Sequence, residues 1–126
     1  MKTFALKPST VILYVENVDA SCAFYTGLLG RAPLEQSPNF AMYALEGGMM
    51  LGLWVGHDVD PKPKAAGGGS ELAFTLDARP ELDKLHEEWK QRGYAIAQKP
   101  VEKDFGYTFT VLDPDGHRLR VMVLPG

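Results

Sequence analysis

The chain has 126 residues, 45% of them hydrophobic, with 13 basic and 16 acidic side chains and a formal net charge of -3. This length and apolar content suit one domain made of two small halves and exclude a disordered chain, while the charge balance leaves no basic footprint for nucleic acid. A single cysteine, Cys22, excludes an internal disulfide framework and a four-cysteine zinc site, and it suits a reducing compartment, the cytoplasm. The densest apolar stretch, Met49 to Val55, falls far short of the ~20 residues of a membrane span, and Met1 to Pro8 holds no apolar run long enough for a signal peptide.

In chain order, Val11, Leu13 and Val15 alternate with Thr10, Ile12 and Tyr14, so Ser9 to Asn17 predicts a strand. Asp19 is placed to cap a helix that runs to about Leu29, carries Phe24 and Leu28 on one face and ends at Gly30. A loop with Pro33 and Pro38 leads to Phe40–Leu45, the turn Glu46-Gly47-Gly48 and Met49–Gly56, a predicted β-hairpin. Residues 57–70, with Asp58, Asp60, Pro61, Pro63 and Gly67-Gly68-Gly69-Ser70, read as a linker. Glu71–Asp77 predicts a strand. Pro80–Arg92 predicts a helix that buries Leu82, Leu85 and Trp89, exposes a solvated charged face and ends at Gly93. Tyr94–Gln98 predicts a strand followed by a loop. The last hairpin is Tyr107–Leu112, the turn Asp113-Pro114-Asp115-Gly116, and His117–Leu124.

The order of elements therefore occurs twice, and looking for such a repeat decides the architecture. Aligning the first strands pairs Thr10 with Glu71 (71 − 10 = 61), and aligning the hairpin glycines pairs Gly48 with Gly116 (116 − 48 = 68). The second offset carries Leu51 onto Leu119 and Gly52 onto Arg120. The expectation is an α+β fold over residues 1–126, with module one at about 8–57, a linker at about 58–70 and module two at about 71–125.

Two motifs, Val15-Glu16-Asn17-Val18-Asp19-Ala20-Ser21 leading into Phe24-Tyr25-Thr26-Gly27-Leu28-Leu29-Gly30, and Phe109-Thr110-Val111-Leu112-Asp113-Pro114-Asp115-Gly116-His117, resemble the vicinal oxygen chelate superfamily. That superfamily groups glyoxalase I, bleomycin-resistance proteins and ring-cleaving dioxygenases. The resemblance spans roughly residues 8–125. It implies two βαβββ modules with curved mixed sheets enclosing a cavity, in a homodimer that is domain-swapped or side by side. Enzymes of the superfamily hold a divalent metal at four positions, which by resemblance fall on Thr10, Gly52, Glu71 and Arg120. A Lewis-acid metal needs several converging lone pairs. Here one position has a neutral hydroxyl, one has no side chain and one has a permanent cation, so only Glu71 can ligate. Glu71 and Arg120 are expected to face each other as an ion pair.

Other constellations are thin. His57, His86 and His117 do not fall on the expected cavity face and read as surface histidines, and Cys22 reads as a small buried hydrophobe. No catalytic residue, metal ligand or cofactor is assigned.

Strand alternation sets the lining. With Thr10, Gly52, Glu71 and Arg120 facing inward, so do Ile12, Tyr14, Met50, Trp54, Ala73, Thr75 and Met122. The opposite positions, among them Val11, Leu13, Val15, Leu51, Leu53, Leu72, Phe74, Leu119, Val121 and Val123, are uniformly apolar and suit burial under the helices. Phe40, Tyr43, Phe105, Tyr107 and Phe109 are further candidates for the lining, and the phase of the 40–45 and 107–112 strands is left open by the sequence. Gly52 leaves floor space beside Trp54 on which a ring system can stack. The candidate ligand-binding set is Ile12, Tyr14, Phe40, Tyr43, Gly52, Trp54, Glu71, Phe105, Arg120 and Met122.

Within the superfamily, Leu53-Trp54-Val55-Gly56 and Phe105-Gly106-Tyr107-Thr108-Phe109 make the chain most similar to the phenazine-antibiotic resistance type of drug-binding protein. The implied function is metal-free sequestration of a planar aromatic small molecule by a cytoplasmic homodimer, with no nucleic acid or membrane partner. The alternative is a metal-dependent glyoxalase-like lyase, isomerase or dioxygenase with displaced ligands.

Overall fold

A computed structural model describes residues 5–65 and 67–126. The opening residues read above for a signal peptide, Met1 to Phe4, and Ala66 of the linker lie outside the described residues. The chain divides into two units, Met1–Ala65 and Ala66–Gly126.

The first unit runs β1 (Thr10–Val15), α1 (Val18–Leu29), β2 (Glu35–Gln36), β3 (Phe40–Ala44) and β4 (Met50–Val55). Its sheet has the order β1-β4-β3-β2, with β1 parallel to β4 and the other pairs antiparallel. The second unit runs β5 (Glu71–Thr75), α2 (Arg79–Gln91), β6 (Ala95–Lys103), β7 (Gly106–Leu112) and β8 (Arg118–Val123), and its sheet has the order β5-β8-β7-β6. Each unit is thus a βαβββ module with the same topology. The repeat holds to the residue. Ile12 sits opposite Gly52, and Gly52 opposite Met42. In the second sheet Ala73 sits opposite Arg120, and Arg120 opposite Thr110, so both offsets read from the sequence are kept.

Local chemistry explains the helix ends. The cap of α1 is Asn17, whose extended backbone (φ -140, ψ 114) lets its side-chain oxygen accept from the Ala20 N–H at 2.9 Å. Asp19, expected as the cap, is already helical. It lies in the first turn, where a negative charge suits the helix dipole, and it accepts from Gln36 Nε2 at 3.0 Å. Gly30 closes the helix in the left-handed conformation (φ 69), its N–H bonding Thr26 O at 3.0 Å. The buried stripe is Val18, Ser21, Cys22 and Tyr25, at helical spacing. In α2, Glu81 Oε1 accepts from the Ala78 N–H at 3.1 Å just before the first turn, while Leu82 and Trp89 are buried. Trp89 packs edge-on to Phe109, with centroids 5.6 Å apart, and so belongs to the core as its spacing predicts.

Two strands depart from expectation. β2 is a two-residue strand inside the predicted proline loop. β6 continues to Lys103 through Pro100, where a loop was expected. It is an edge strand, so the missing proline N–H breaks no ladder, and shifts in its register accommodate the ring. The β7–β8 turn is pinned by Asp113. Its Oδ1 accepts from the Asp115 N–H at 2.9 Å and the His117 N–H at 2.8 Å, and Gly116 takes φ 83.

Candidate functional site

Each sheet has one face against its own helix. In module one Tyr43 points to α1, its hydroxyl donating to Cys22 O at 3.1 Å and lying 2.9 Å from Thr26 Oγ1. Register then places Ala41, Leu51, Leu53, Val11, Leu13, Val15 and Val55 on the same side. In module two Phe109 meets Trp89 and His86, and Tyr107 donates to Asp83 of α2 at 2.6 Å, which puts Val111, Leu119, Val121 and Val123 toward α2. The phase read from strand alternation is the observed one. Three aromatic residues are settled with it. Tyr43, expected among the ligand-binding residues, is fully buried against α1, on the face opposite to Trp54. Tyr107 and Phe109 likewise face their helix. Burial holds Tyr43 neutral, pushing its pKa up to about 12, and burial also raises the Cys22 thiol.

The face of module one away from α1 carries Ile12, Tyr14, Phe40, Met42, Met50, Gly52 and Trp54, brought together by the pairings Tyr14–Trp54, Phe40–Trp54 and Ile12–Gly52. Tyr14 and Trp54 meet edge to face, with centroids 6.4 Å apart and planes at 79°. Ile12 is 46% and Tyr14 41% exposed, an unusual exposure for large apolar side chains in the middle of a strand. The floor space expected above Gly52 is filled. A Cβ there would stand 3.1 Å from Phe40 Cζ and 3.4 Å from Ile12 Cγ1. The glycine makes room for the Phe40 ring of its own sheet.

The face of module two away from α2 is polar. Arg120 Nε donates to Glu71 Oε1 and Nη2 to Glu71 Oε2, both at 2.8 Å, in a two-pronged ion pair. Arg120 Nη1 donates to Gln98 Oε1 at 2.9 Å and Thr108 Oγ1 at 3.2 Å. Arg118 Nε stands 3.4 Å from Glu71 Oε2. The hydrogen bonds from Arg120 hold the Glu71 carboxyl below the usual carboxylate range, and the carboxylate in turn raises the Arg120 pKa. Phe105 lies beside the same group, with the Arg120 guanidinium carbon 5.6 Å from its ring centroid. Met122 shares the face, opposite Thr108 and Thr75. Gln98 was not among the sequence candidates. Period-2 reasoning along Tyr94–Gln98 carries no sign of the bulge that aims it here.

The four positions that the resemblance assigns to a metal can be tested chemically. Thr10 Oγ1 lies 3.2 Å from Ser9 Oγ. Gly52 offers no side-chain donor, Arg120 has no lone pair, and both oxygens of Glu71 accept from Arg120. This donor set does not fit a divalent cation. Among the described residues, no three His, Cys, Asp or Glu side chains gather as a metal-binding group. The three histidines lie apart from these faces. His57 pairs with Asp58 at 3.3 Å, His86 packs edge-on to Phe109 and His117 belongs to the Asp113 turn.

Two duplicated βαβββ modules, each with a helix on one face of its four-stranded sheet, define the class of fold. The sequence matches the Glyoxalase/Bleomycin resistance protein/Dioxygenase superfamily over residues 7–121, and the chain belongs to that superfamily. It is 32% identical to the phenazine antibiotic resistance protein EhpR of Enterobacter agglomerans in an alignment 124 positions long that covers 94% of this chain and 93% of EhpR. A solution NMR structure of an Agrobacterium tumefaciens protein is 48% identical with a TM-score of 0.88, over 97% of this chain and 100% of that one. A glyoxalase-related enzyme from Fulvimarina pelagi has a TM-score of 0.84 at 23% identity, over 96% of this chain and 90% of its own, a likeness of fold alone. No helix among the described residues is long and apolar enough to cross a membrane.

Proposed function

We propose that this protein binds a planar aromatic small molecule without a metal and confers resistance by sequestering it. The observation that carries the reading is the Glu71–Arg120 pair. At positions where the superfamily's enzymes need free lone pairs, the chain commits a carboxylate and a guanidinium to each other. The aromatic face formed by exposed Tyr14 with half-buried Phe40 and Trp54 supports an apolar, flat ligand, and the 32% identity to EhpR over nearly the whole chain supports an antibiotic of the phenazine class. The residues assigned to binding are Ile12, Tyr14, Phe40 and Trp54 of module one and Glu71, Phe105, Arg120 and Met122 of module two, with Gly52 serving to seat the Phe40 ring. Affinity comes from burying ring surface, at ~25 cal/mol per Å², and from aromatic contact. We place the protein in the cytoplasm as a homodimer. The lone, buried cysteine supports the compartment, and the family resemblance supports the dimer.

Fluorescence titration with phenazine tests the reading. Phenazine is expected to quench the tryptophan emission of the native protein, and Trp54→Ala is expected to remove that quench while Trp89 keeps its core emission. A quench that survives Trp54→Ala would place the ligand elsewhere. About one tightly held transition ion per chain, in protein purified without chelator, would restore the metalloenzyme alternative.

A further inference from the structure

Arg120 directs four N–H donors at its own module, two to Glu71 and, from Nη1, one each to Gln98 and Thr108. This fixes the orientation of the Gln98 amide. An arginine only donates, so the amide atom 2.9 Å from Nη1 is the oxygen, and Thr110 Oγ1 donates to that same oxygen at 3.3 Å. The amide NH2 is left with neither hydrogen used by the network. The backbone has a special feature at this point. Ile96 sits opposite Val111, so a regular antiparallel ladder would set Ala97 opposite Thr110 and turn Gln98 toward α2 beside Phe109. A register shift instead sets Gln98 opposite Thr110, re-aiming it to the face of Arg120. Phe105, 45% exposed, offers a ring on the same guanidinium.

Resting on the reading that the protein binds planar aromatic molecules, we infer that Gln98 is a specificity-determining residue whose amide NH2 donates to a hydrogen-bond acceptor in the plane of the ligand. The preferred class is therefore a fused ring system with a ring nitrogen or carbonyl oxygen at its edge, rather than a hydrocarbon. Glu71 and Arg120 are positioning residues for this contact. They hold the amide oxygen inward so that the nitrogen faces out. They do not serve as a hook for a ligand carboxylate, because the guanidinium is committed to the protein.

The test uses two probes of the same shape, phenazine and anthracene, which differ in the ring nitrogens. Binding is followed by equilibrium dialysis, with anthracene kept below its solubility limit and read by its own emission. Gln98→Glu keeps an oxygen for Arg120 and removes the NH2, and Gln98→Leu removes both. A thermal melt on each confirms the fold, and Gln98→Glu keeps the test alive if Gln98→Leu fails to fold. The expected result is phenazine binding weakened about tenfold in Gln98→Glu, with anthracene binding changed less than about twofold. Equal losses for both probes, or no loss for phenazine, would overturn the assignment of Gln98 and leave the binding reading standing. Failure of the native protein to hold either probe would overturn the binding reading, and this inference with it.

Discussion

Replacing Tyr43 by phenylalanine removes one oxygen from the middle of module one and nothing else. That hydroxyl donates to Cys22 O at 3.1 Å and lies 2.9 Å from Thr26 Oγ1. Neither partner is stranded by the change, because the Cys22 carbonyl sits in the helical ladder and Thr26 reaches water. The loss is therefore the net worth of two hydrogen bonds, about 1–2 kcal/mol, without the penalty of an orphaned group. With a urea m-value of about 2 kcal/mol/M, the midpoint should fall by about 0.5–1 M. The pH dependence gives a second, independent signature. Burial raises Tyr43 from an ordinary value of 10.0 to about 12, so the folded state favours the neutral ring. Its stabilisation is fully present below the unfolded pKa and is lost as pH rises through the folded one. Urea melts of both proteins at pH ~7 and pH ~11.5 should show the native protein's advantage shrinking at the higher pH. An unchanged midpoint at neutral pH would refute the hydrogen-bond assignment. A weaker phenazine affinity in the variant would refute the placement of Tyr43 on the helix side, since a core hydroxyl has no route to the ligand.

Two further outcomes follow from local geometry. Gly106 takes φ 142, and a Cβ there would stand 2.3 Å from the Val123 carbonyl oxygen, a backbone atom held in the β7–β8 ladder. Gly106→Ala should cost about 3 kcal/mol or more and lower the melting temperature by about 10 °C, and a shift under about 2 °C by circular dichroism would contradict the close approach. Glu71→Gln should cost about 1 kcal/mol at neutral pH, a modest figure because the Glu71 side chain is 31% exposed. The native carboxyl is lowered from its ordinary 4.5 by Arg120, so its contribution is present above that value and lost as pH falls through the lowered folded one. Melts followed toward acid should converge for the two proteins, and a constant gap would show that the pair is not the source.

Much of this architecture was legible because period-2 alternation is rigid. Once Thr10, Gly52 and Arg120 are given a direction, Leu13, Leu53 and Val121 can only point the other way, and they do. The duplicated register was legible for the same reason, since Gly52 and Arg120 hold equivalent places relative to Met42 and Thr110. What escaped the sequence depends on neighbours. Asn17 and Asp19 are both good capping residues, and only the point at which the backbone leaves the extended conformation chooses between them. Tyr43 has no helical neighbour in sequence to reveal that its hydroxyl bonds α1. Space above Gly52 looked free because the Phe40 ring that fills it comes from the adjacent strand. Gln98 was invisible because a bulge inverts the parity of its strand, and no composition signal marks an inserted residue.

The segment that most readily betrays the ancestry of this chain, Asp113-Pro114-Asp115-Gly116-His117, does its visible work on its own main chain, one carboxylate oxygen gripping two amides of a tight reversal. A match to such a turn speaks for the fold. The use made of the fold has to be sought on the strand faces, where Arg120 and Glu71 are linked to each other and Gly52 carries no side chain.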